Sequence, residues 1–432
     1  MIMDIIIRDD MKTLRTDKQH IEYMAITMTS VIVFLALMAM FIGKYLWSDN
    51  VYNSYTLQAV SWLHGHLDLG QDYGHLELAI YNGKYYVSFP PFPSYVMLPF
   101  ALIFGENTPD YLILYIFDLL GVLYLYKIAA YFKLKPYQCM ISALLSFIGS
   151  NVVFVMLNPY VWFIAQMMCF TLSIMSIYYT LKGRNALALA FWACAVGCRP
   201  MQAVLIMPLT ILMLRVYNEK HADESIISFI KRNLLNVIPA FVIGVSYMAL
   251  NYARFGNVFQ FGHDYLPEFT ESEHGQFAIE YIRPNLESLF RLFRFDEEGR
   301  MVIDHFNNLS MLIVSPIFIV VIIFAIIVVI DTIIKRRNEN AAQDGLNIND
   351  IFLIINIVIF SAVYMLMIVM HKTMGGWHFG NRYSNDIIPY FYLILLVITS
   401  KKPSLVKWEI PFLIWGVVLN SVGSVIVYNV LG

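Results

Sequence analysis

Long apolar runs separated by short polar segments dominate the 432-residue chain. A membrane-spanning helix needs about 20 predominantly apolar residues. Runs that approach or exceed this length lie at 23–47, 111–132, 137–157, 162–181, 201–217, 234–253, 311–334, 351–371, 386–400 and 411–431. A shorter run at 186–198 meets the run at 201–217 across Arg199-Pro200, and we interpret the two as a helical hairpin. The pattern predicts an all-α polytopic membrane protein with about 11 transmembrane helices.

The run at 94–105 decides the predicted membrane topology of the chain. It has about twelve residues and an internal proline, Pro99, so it is too short to cross and is predicted to lie at the interface or to re-enter. Cytoplasmic loops carry an excess of Lys and Arg. With the N-terminus inside and this run not crossing, most of the 29 Lys and Arg residues fall on the inner side. A crossing would place Lys133 and Lys135 outside, so we favour the topology without it.

Composition agrees with a membrane protein and excludes other classes. Hydrophobic residues make up 59% of the chain and charged residues 14%, whereas soluble domains carry about 25% charged residues. The net charge of −2 provides no basic field for nucleic acid. The first run is longer than the core of a signal peptide and no cleavage site follows it, so it is predicted to be an uncleaved span.

We predict one transmembrane unit over 1–432, with no soluble domain. Its parts are 1–217, with a long first outer loop at 48–110, and 218–432, with outer loops at 254–309 and 372–385. In the second part, Leu286–Phe295 has the amphipathic pattern of a helix lying on the outer interface.

The first outer loop carries three local patterns. Residues 50–63 place apolar side chains on one face, which predicts an amphipathic helix, and from spacing alone a helix cap is the favoured role of Asp49. Tyr81-Asn82-Gly83-Lys84 predicts a two-residue β-hairpin turn. A proline cluster at 90–93 then leads into the short run at 94–105.

The order of these features resembles the GT-C superfamily of membrane glycosyltransferases, which use polyprenyl-phosphate-linked sugars. Members include dolichyl-phosphate-mannose protein mannosyltransferases, the lipid A aminoarabinose transferase and oligosaccharyltransferases. The resemblance covers 1–217 most strongly, together with Gly376–Tyr383 and Asn251–Gly256, which look like segments of bacterial members. It implies a GT-C fold, in which the first outer loop forms two juxtamembrane helices, here at 50–65 and 93–104.

The resemblance implies an inverting transfer of a sugar from a polyprenyl-monophosphate donor. The family's general base is an acidic residue at the start of the first outer loop, and Asp49 matches it. The glutamate that follows in many members is Asn50 here, and the aspartate that some members place before a proline is Asn158 here. Asn158 could hydrogen-bond a sugar but could not act as a base. We expect Asn50, Asn158, Tyr52 and Glu77 to bind the sugar or the acceptor.

The leaving phosphate gains charge in the transition state and needs cations nearby. Arg199 and Arg382 are the candidate phosphate ligands, with Lys84 and His378 as further donors. Arginines at span edges also extend to lipid headgroups, and Lys84 and His378 could be ordinary polar loop residues. Arg199, however, lies in a tight apolar hairpin where an unused charge is costly, and Arg382 lies in a glycine-containing loop that an anion could approach.

No cofactor and no resident metal are predicted. Asp68, Asp72 and Glu77 invite a divalent-cation site together with Asp49, but their spacing forms no preformed cage, and solvated loop acids are favoured. The predicted partners are the lipid-linked sugar donor, a glycan, lipid or protein acceptor, and membrane lipids, with no nucleic acid. We expect a multi-pass protein of the bacterial cytoplasmic membrane with its active site on the outer face.

Two other function classes stay open. A lipid-linked oligosaccharide polymerase would perform similar chemistry at the outer face with a pyrophosphate donor. A secondary transporter or flippase of lipid-linked glycans would place ionisable residues in mid-membrane, where Asp118 and Asp331 stand nearly alone. Polar residues concentrate instead at the outer ends of the spans, which favours chemistry at the surface. A non-catalytic scaffold is a further alternative, given Asn50 and Asn158.

Overall fold

The computed structural model describes residues 18–221, 224–302, 309–337 and 345–430. Within these ranges the chain is mostly helical. The first half contains helices α1 (Lys18–Ile42), α2 (Ser54–Leu63), α3 (Phe92–Phe104), α4 (Asp110–Tyr131), α5 (Pro136–Ser146), α6 (Val152–Val155), α7 (Val161–Leu181) and α8 (Asn185–Val196). Strands β1 (Leu78–Tyr81) and β2 (Lys84–Val87) lie between α2 and α3.

The second half has the same helical character. Its helices are α9 (Ile206–Asn218), α10 (Ile226–Asn233), α11 (Ile238–Phe255), α12 (Pro267–Thr270), α13 (Ile282–Leu289), α14 (Met311–Val314), α15 (Ile317–Arg337), α16 (Ile348–Val369), α17 (Ile388–Lys401) and α18 (Glu409–Val430). Two short strands, β3 (Arg294–Phe295) and β4 (Met301–Val302), pair after α13. Turns of 3-10 helix at Pro200–Leu205 and Arg382–Ile387 lead into α9 and α17.

Eight helical segments of the described ranges are long and apolar enough to cross a membrane. They are Lys18–Ile42, Asp110–Tyr131, Val161–Leu181, Pro200–Asn218, Ile226–Phe255, Ile348–Val369, Arg382–Lys401 and Pro403–Asn429. Shorter apolar helices lie at Asn185–Val196 and Ile317–Asp331. The protein is therefore an all-α polytopic membrane protein, as the apolar runs predict.

The helices pack around a buried centre. Most of α7 and most of the segment containing α17 are buried, whereas few residues of the segment containing α11 are buried. α7 packs against α4 and α8, and α17 packs against α15. Residues 43–109 connect α1 to α4, and we call the end of the bundle where they lie the loop end.

The predicted span at 137–157 is wrong as a continuous helix, because the chain leaves the helix between α5 and α6. Gly149 in this break lies so close to α18 that a Cβ on Gly416 would be 2.0 Å from the Gly149 carbonyl oxygen. The backbone N–H of Asn151 donates to Ser315 Oγ at 3.0 Å instead of to a helical carbonyl. Tertiary partners thus replace helical hydrogen bonds, which an apolar run cannot reveal.

The run at 94–105 forms a short helix, as its length predicts. α3 has 13 residues and contains Pro99. At 1.5 Å per residue it extends about 20 Å, short of the roughly 30 Å of a hydrocarbon core. It packs against α2, so the first loop contributes two short helices at the loop end.

The hairpin turn is confirmed. β1 and β2 pair antiparallel with Tyr81 opposite Lys84, which leaves Asn82 and Gly83 as the two turn residues. Both have positive φ, 50° and 70°, as a type I′ turn requires.

The role of Asp49 as a helix cap is wrong. α2 begins at Ser54, its N-cap position is Asn53, and no side chain caps it. Asp49 is exposed and lies outside the helix. The amphipathic pattern places the helix correctly but sets its start too early.

The predicted helix at Leu286–Phe295 is wrong in its second half. α13 starts earlier, at Ile282, and ends at Leu289. Arg294 and Phe295 instead form β3, whose backbone pairs with β4. The amphipathic pattern continues past Leu289, but the chain there leaves the helix and then forms a strand.

We predict that Gly416→Ala lowers the free energy of unfolding by about 1–3 kcal/mol, because the new methyl group would overlap the Gly149 backbone, which cannot move aside like a side chain. Thermal unfolding in detergent measures the effect. Gly244→Ala is the matched control, since it lies in α11 and a Cβ there meets no atom within 4 Å. Equal unfolding temperatures for the two variants would show that the close approach of α18 is not as described.

Candidate functional site

A cavity of about 570 Å³ lies at the loop end of the bundle. Its walls come from the ends of α7 and α16, from the turns before α9 and α17, and from loop segments. Polar residues of the lining are Tyr55, Glu77, Arg199, His263, Asp264, Glu268, Gln276, Tyr364, His371, Thr373, Arg382 and Tyr383. The volume falls in the range of small-molecule sites, about 300–1,000 Å³.

Arg382 supplies a positive charge to the cavity that no described carboxylate neutralises by an ion pair. The residue is 3% exposed, and its Nε has no hydrogen-bond partner. Nη1 has only a long contact, 3.5 Å, to Gln166 Oε1. A buried guanidinium without a direct counter-charge is costly. Its position in the cavity wall makes Arg382 a candidate for pairing with an anion.

Arg199, the second arginine of the wall, has a carboxylate partner. Its Nε donates to Asp386 Oδ2 at 2.9 Å, and its side chain is 17% exposed. Asp386 is completely buried and also accepts hydrogen bonds from Tyr364 Oη and, at 2.9 Å, from Gln166 Nε2. Because Asp386 engages only the Nε of Arg199, the terminal nitrogens are left for the cavity.

Tyr383 connects the two arginines. The guanidinium carbons of Arg199 and Arg382 lie 4.7 Å and 4.6 Å from the centre of its ring. Cation–π attraction of this kind holds both guanidinium groups against the Tyr383 ring. Gly375 makes the arrangement possible, because it has a φ of +88° and a Cβ there would lie 2.9 Å from the Tyr383 ring and 3.0 Å from Arg382 Nη2.

Glu77 provides a carboxylate in the wall of the same cavity. Its Oε2 accepts a hydrogen bond from Trp162 Nε1 at 2.9 Å. Glu77 is an exposed residue that lines the cavity, and partial desolvation by the neighbouring protein raises its pKa above the ordinary value. The Trp162 hydrogen bond opposes the shift, the charge of Glu268 adds to it, and the charge of Arg382 opposes it. Glu77 is thus electrostatically coupled to the arginine wall.

The segment 261–277 forms a further part of the wall and is fastened to the loop after α16. Phe277 pairs with His371 in an isolated antiparallel bridge, and Lys372 N donates to Gln276 O at 2.8 Å. These backbone bonds hold the segment against the cavity.

Two histidines of this wall face each other, with the rings of His263 and His371 5.9 Å apart. Burial and the nearby His371 together lower the pKa of His263 to about 3, and burial makes the larger contribution. Burial likewise lowers the pKa of His371 to about 4, against a hydrogen bond with Thr373. Both side chains are therefore neutral at physiological pH.

The structure brings three of the residues predicted from sequence to the cavity. Arg199, Arg382 and Glu77 line it. Tyr52 lies just behind the wall, with its ring centre 5.1 Å from that of Trp162.

Asp49 and Lys84 do not line the cavity. Asp49 is exposed, and its role as general base stays a prediction. Lys84 forms an exposed ion pair with Asp68 at 2.8 Å, which satisfies its charge away from the cavity wall.

Three further candidates lie outside the lining, and of these Asn50 is partly buried and Asn158 is completely buried. Asn50 Nδ2 donates to Asp110 Oδ2 at 2.6 Å and to a backbone carbonyl, so it anchors the start of the first loop. Asn158 Oδ1 accepts from Tyr111 Oη at 2.5 Å. His378 Nδ1 lies 2.6 Å from Gly376 O, and the residue is completely buried.

Sequence reasoning missed four residues of the site and its support: Asp386, Gln166, His263 and His371. Asp386 and Gln166 lie inside predicted spans, and a polar side chain in a span is a signal of function or of a specific partner. His263 and His371 carry no such signal, because they come from separate loops that only the fold brings together.

Among the described residues, no group of three or more His, Cys, Asp and Glu side chains could hold a metal ion. No known protein family matches the chain, and no curated protein is similar to it. The geometry and charge of the cavity therefore carry the functional argument.

We predict that stability falls as the pH is lowered from about 6.5 to 4, since in this range the unfolded chain binds protons that folded His371 does not. The loss attributable to His371 is on the order of 3 kcal/mol, and His371→Asn should remove it. Thermal unfolding of both proteins across this pH range tests the prediction. His66→Asn, at an exposed histidine of the first loop, is the control, and an unchanged pH dependence in His371→Asn would contradict the assignment.

Proposed function

We propose that the protein is an inverting membrane glycosyltransferase of the GT-C type. It would move a sugar from a polyprenyl-monophosphate donor to a glycan, lipid or protein acceptor at the outer face of the membrane. The observation that carries the proposal is the buried guanidinium of Arg382, which has no ion-pair partner among the described residues and shares its cavity with Arg199 and a carboxylate, Glu77.

The arginine wall suits the phosphate of the donor. A phosphate group linked to a sugar and a lipid carries one negative charge and gains a second as the glycosidic bond breaks. Arg382 would pair with this charge, and the terminal nitrogens of Arg199 would add hydrogen bonds. Both guanidinium groups are already in place, so little reorganisation is needed when the leaving group forms.

A carboxylate is needed for the acceptor. In the reaction the acceptor oxygen bonds to the anomeric carbon, the bond to the phosphate oxygen breaks, and the acceptor's proton passes to a base. Glu77 lies in the same cavity as the arginines, which supports it as that base. The shift brings the pKa of Glu77 closer to neutral pH, where a general base works best. Asp49, the base implied by the family resemblance, is the alternative.

The arrangement of the first loop supports the same fold type. α2 and α3 are short helices that pack together at the loop end, where the resemblance implies two juxtamembrane helices. The apolar helices are compatible with about 11 crossings if the broken α5–α6 segment and the shorter apolar helices also cross. In this topology the cavity lies at the outer face.

We expect Glu77→Gln to reduce transfer by about 10²–10⁴-fold while donor binding is retained, because a general base contributes about this much. Purified wild-type and variant proteins would be incubated with a panel of polyprenyl-phosphate sugars and membrane extract, and the released polyprenyl phosphate would be measured. Asp49→Asn is the matched variant. Transfer lost in Asp49→Asn but kept in Glu77→Gln would instead assign the base to Asp49.

Arg382→Gln tests the phosphate site in the same assay. Loss of the guanidinium should lower transfer by about 10²–10³-fold, in line with the loss of one charge-stabilising donor. Donor binding should weaken as well. No release from any donor by the wild-type protein would reject the glycosyltransferase proposal.

A further inference from the structure

We propose that Asp386 is a positioning residue of the phosphate site, which acts by fixing the orientation of Arg199. The inference rests on the proposed function and extends it to a residue that lies behind the cavity wall. Asp386 is completely buried and does not line the cavity, so it cannot contact the substrate itself.

The hydrogen bonds of Asp386 leave it no freedom to move. Oδ2 accepts from Arg199 Nε at 2.9 Å and from Tyr364 Oη, and Oδ1 accepts from Gln166 Nε2 at 2.9 Å. Its carbonyl oxygen accepts from Gln202 Nε2 at 3.0 Å. A carboxylate fixed from three helical segments is a rigid reference point for the guanidinium bonded to it.

The nitrogens of the Arg199 guanidinium have different surroundings. Nε faces the carboxylate, and the two terminal nitrogens form no hydrogen bond within the described residues. These two nitrogens are also accessible to solvent, because no Arg199 atom is among the buried side-chain atoms that lack a hydrogen-bond partner. Because Arg199 lines the cavity, these nitrogens can bind a ligand there while the charge stays balanced from behind.

Asp386 is needed because the two arginines repel each other. Both guanidinium groups lie against the same Tyr383 ring, at 4.7 Å and 4.6 Å. Without the carboxylate, two like charges would share one enclosed region, and Arg199 would turn away. Asp386 thus keeps Arg199 beside Arg382, where both can bind one phosphate.

A positioning role for Asp386 and a simple effect of its charge predict opposite changes in anion binding for Asp386→Asn. Removing a negative charge near an anion site should strengthen anion binding if charge alone matters. If Asp386 orients Arg199, then Asp386→Asn should weaken binding, by about tenfold for the loss of one charge-assisted hydrogen bond to the phosphate. Asp264→Asn is the charge control, because Asp264 lines the cavity and its side chain bonds to Gln260 alone within the described ranges.

The test is the affinity of the full chain in lipid nanodiscs for farnesyl monophosphate, measured by calorimetry. Wild type, Asp386→Asn, Arg199→Gln and the double variant form a mutant cycle, with thermal unfolding as a separate measure of folding. We expect Asp386→Asn to weaken binding about tenfold in the wild-type background and by less than about twofold in Arg199→Gln. A merely structural role would lower the unfolding temperature and leave the affinity unchanged.

A further variant serves if Asp386→Asn does not fold. Arg199→Lys retains a charge to pair with Asp386 but has only one nitrogen, so it should bind farnesyl monophosphate as weakly as Arg199→Gln. Wild-type affinity in Arg199→Lys, tighter binding in Asp386→Asn, or an equal effect of Asp386→Asn in both backgrounds would each overturn the positioning role while the phosphate site stands. No binding to the wild-type protein would reject the phosphate site and this inference together.

Discussion

Buried Asp386 ties three helical segments to the turn that carries it. Its donors come from α7, from α16 and from the hairpin segment around Arg199 and Gln202. A carboxylate among membrane helices is costly unless its oxygens are fully hydrogen-bonded. The helices must therefore pack so that these donors converge, and the same packing sets where Arg199 and Arg382 meet the cavity. One electrostatic requirement thus shapes both the bundle and the site.

The fold was predictable where a single physical cause dominates. Apolar length places the long helices and predicts a short helix for the run at 94–105, because the hydrocarbon thickness sets the length that a span needs. The Asn82-Gly83 turn was predictable because few residues accept its backbone angles. The break between α5 and α6 was not, since it depends on Gly416 and Ser315, which are distant in sequence.

The site was predictable only in part, for a related reason. Arg199 and Arg382 stand out in the sequence because a charge beside apolar spans is costly wherever it points. Glu77 was expected to bind sugar or acceptor, but its place beside the arginines depends on how the first loop folds back. His263 and His371 belong to separate loops, which the backbone bonds of Gln276 and Phe277 hold together. Residues that belong to a site only because the fold brings distant loops together cannot be recognised from the local sequence.

Residues from both parts of the chain, 1–217 and 218–432, line the cavity. Arg199, Glu77 and Trp162 come from the first 217 residues, whereas Arg382 and the histidines come from the second part. The Arg199–Asp386 ion pair and the Gln166 bonds to Asp386 and to the Arg382 carbonyl cross between the parts. Neither part alone would hold two guanidinium groups against a neutralising carboxylate. The proposed anion site therefore depends on the packing of the two parts and not on either one.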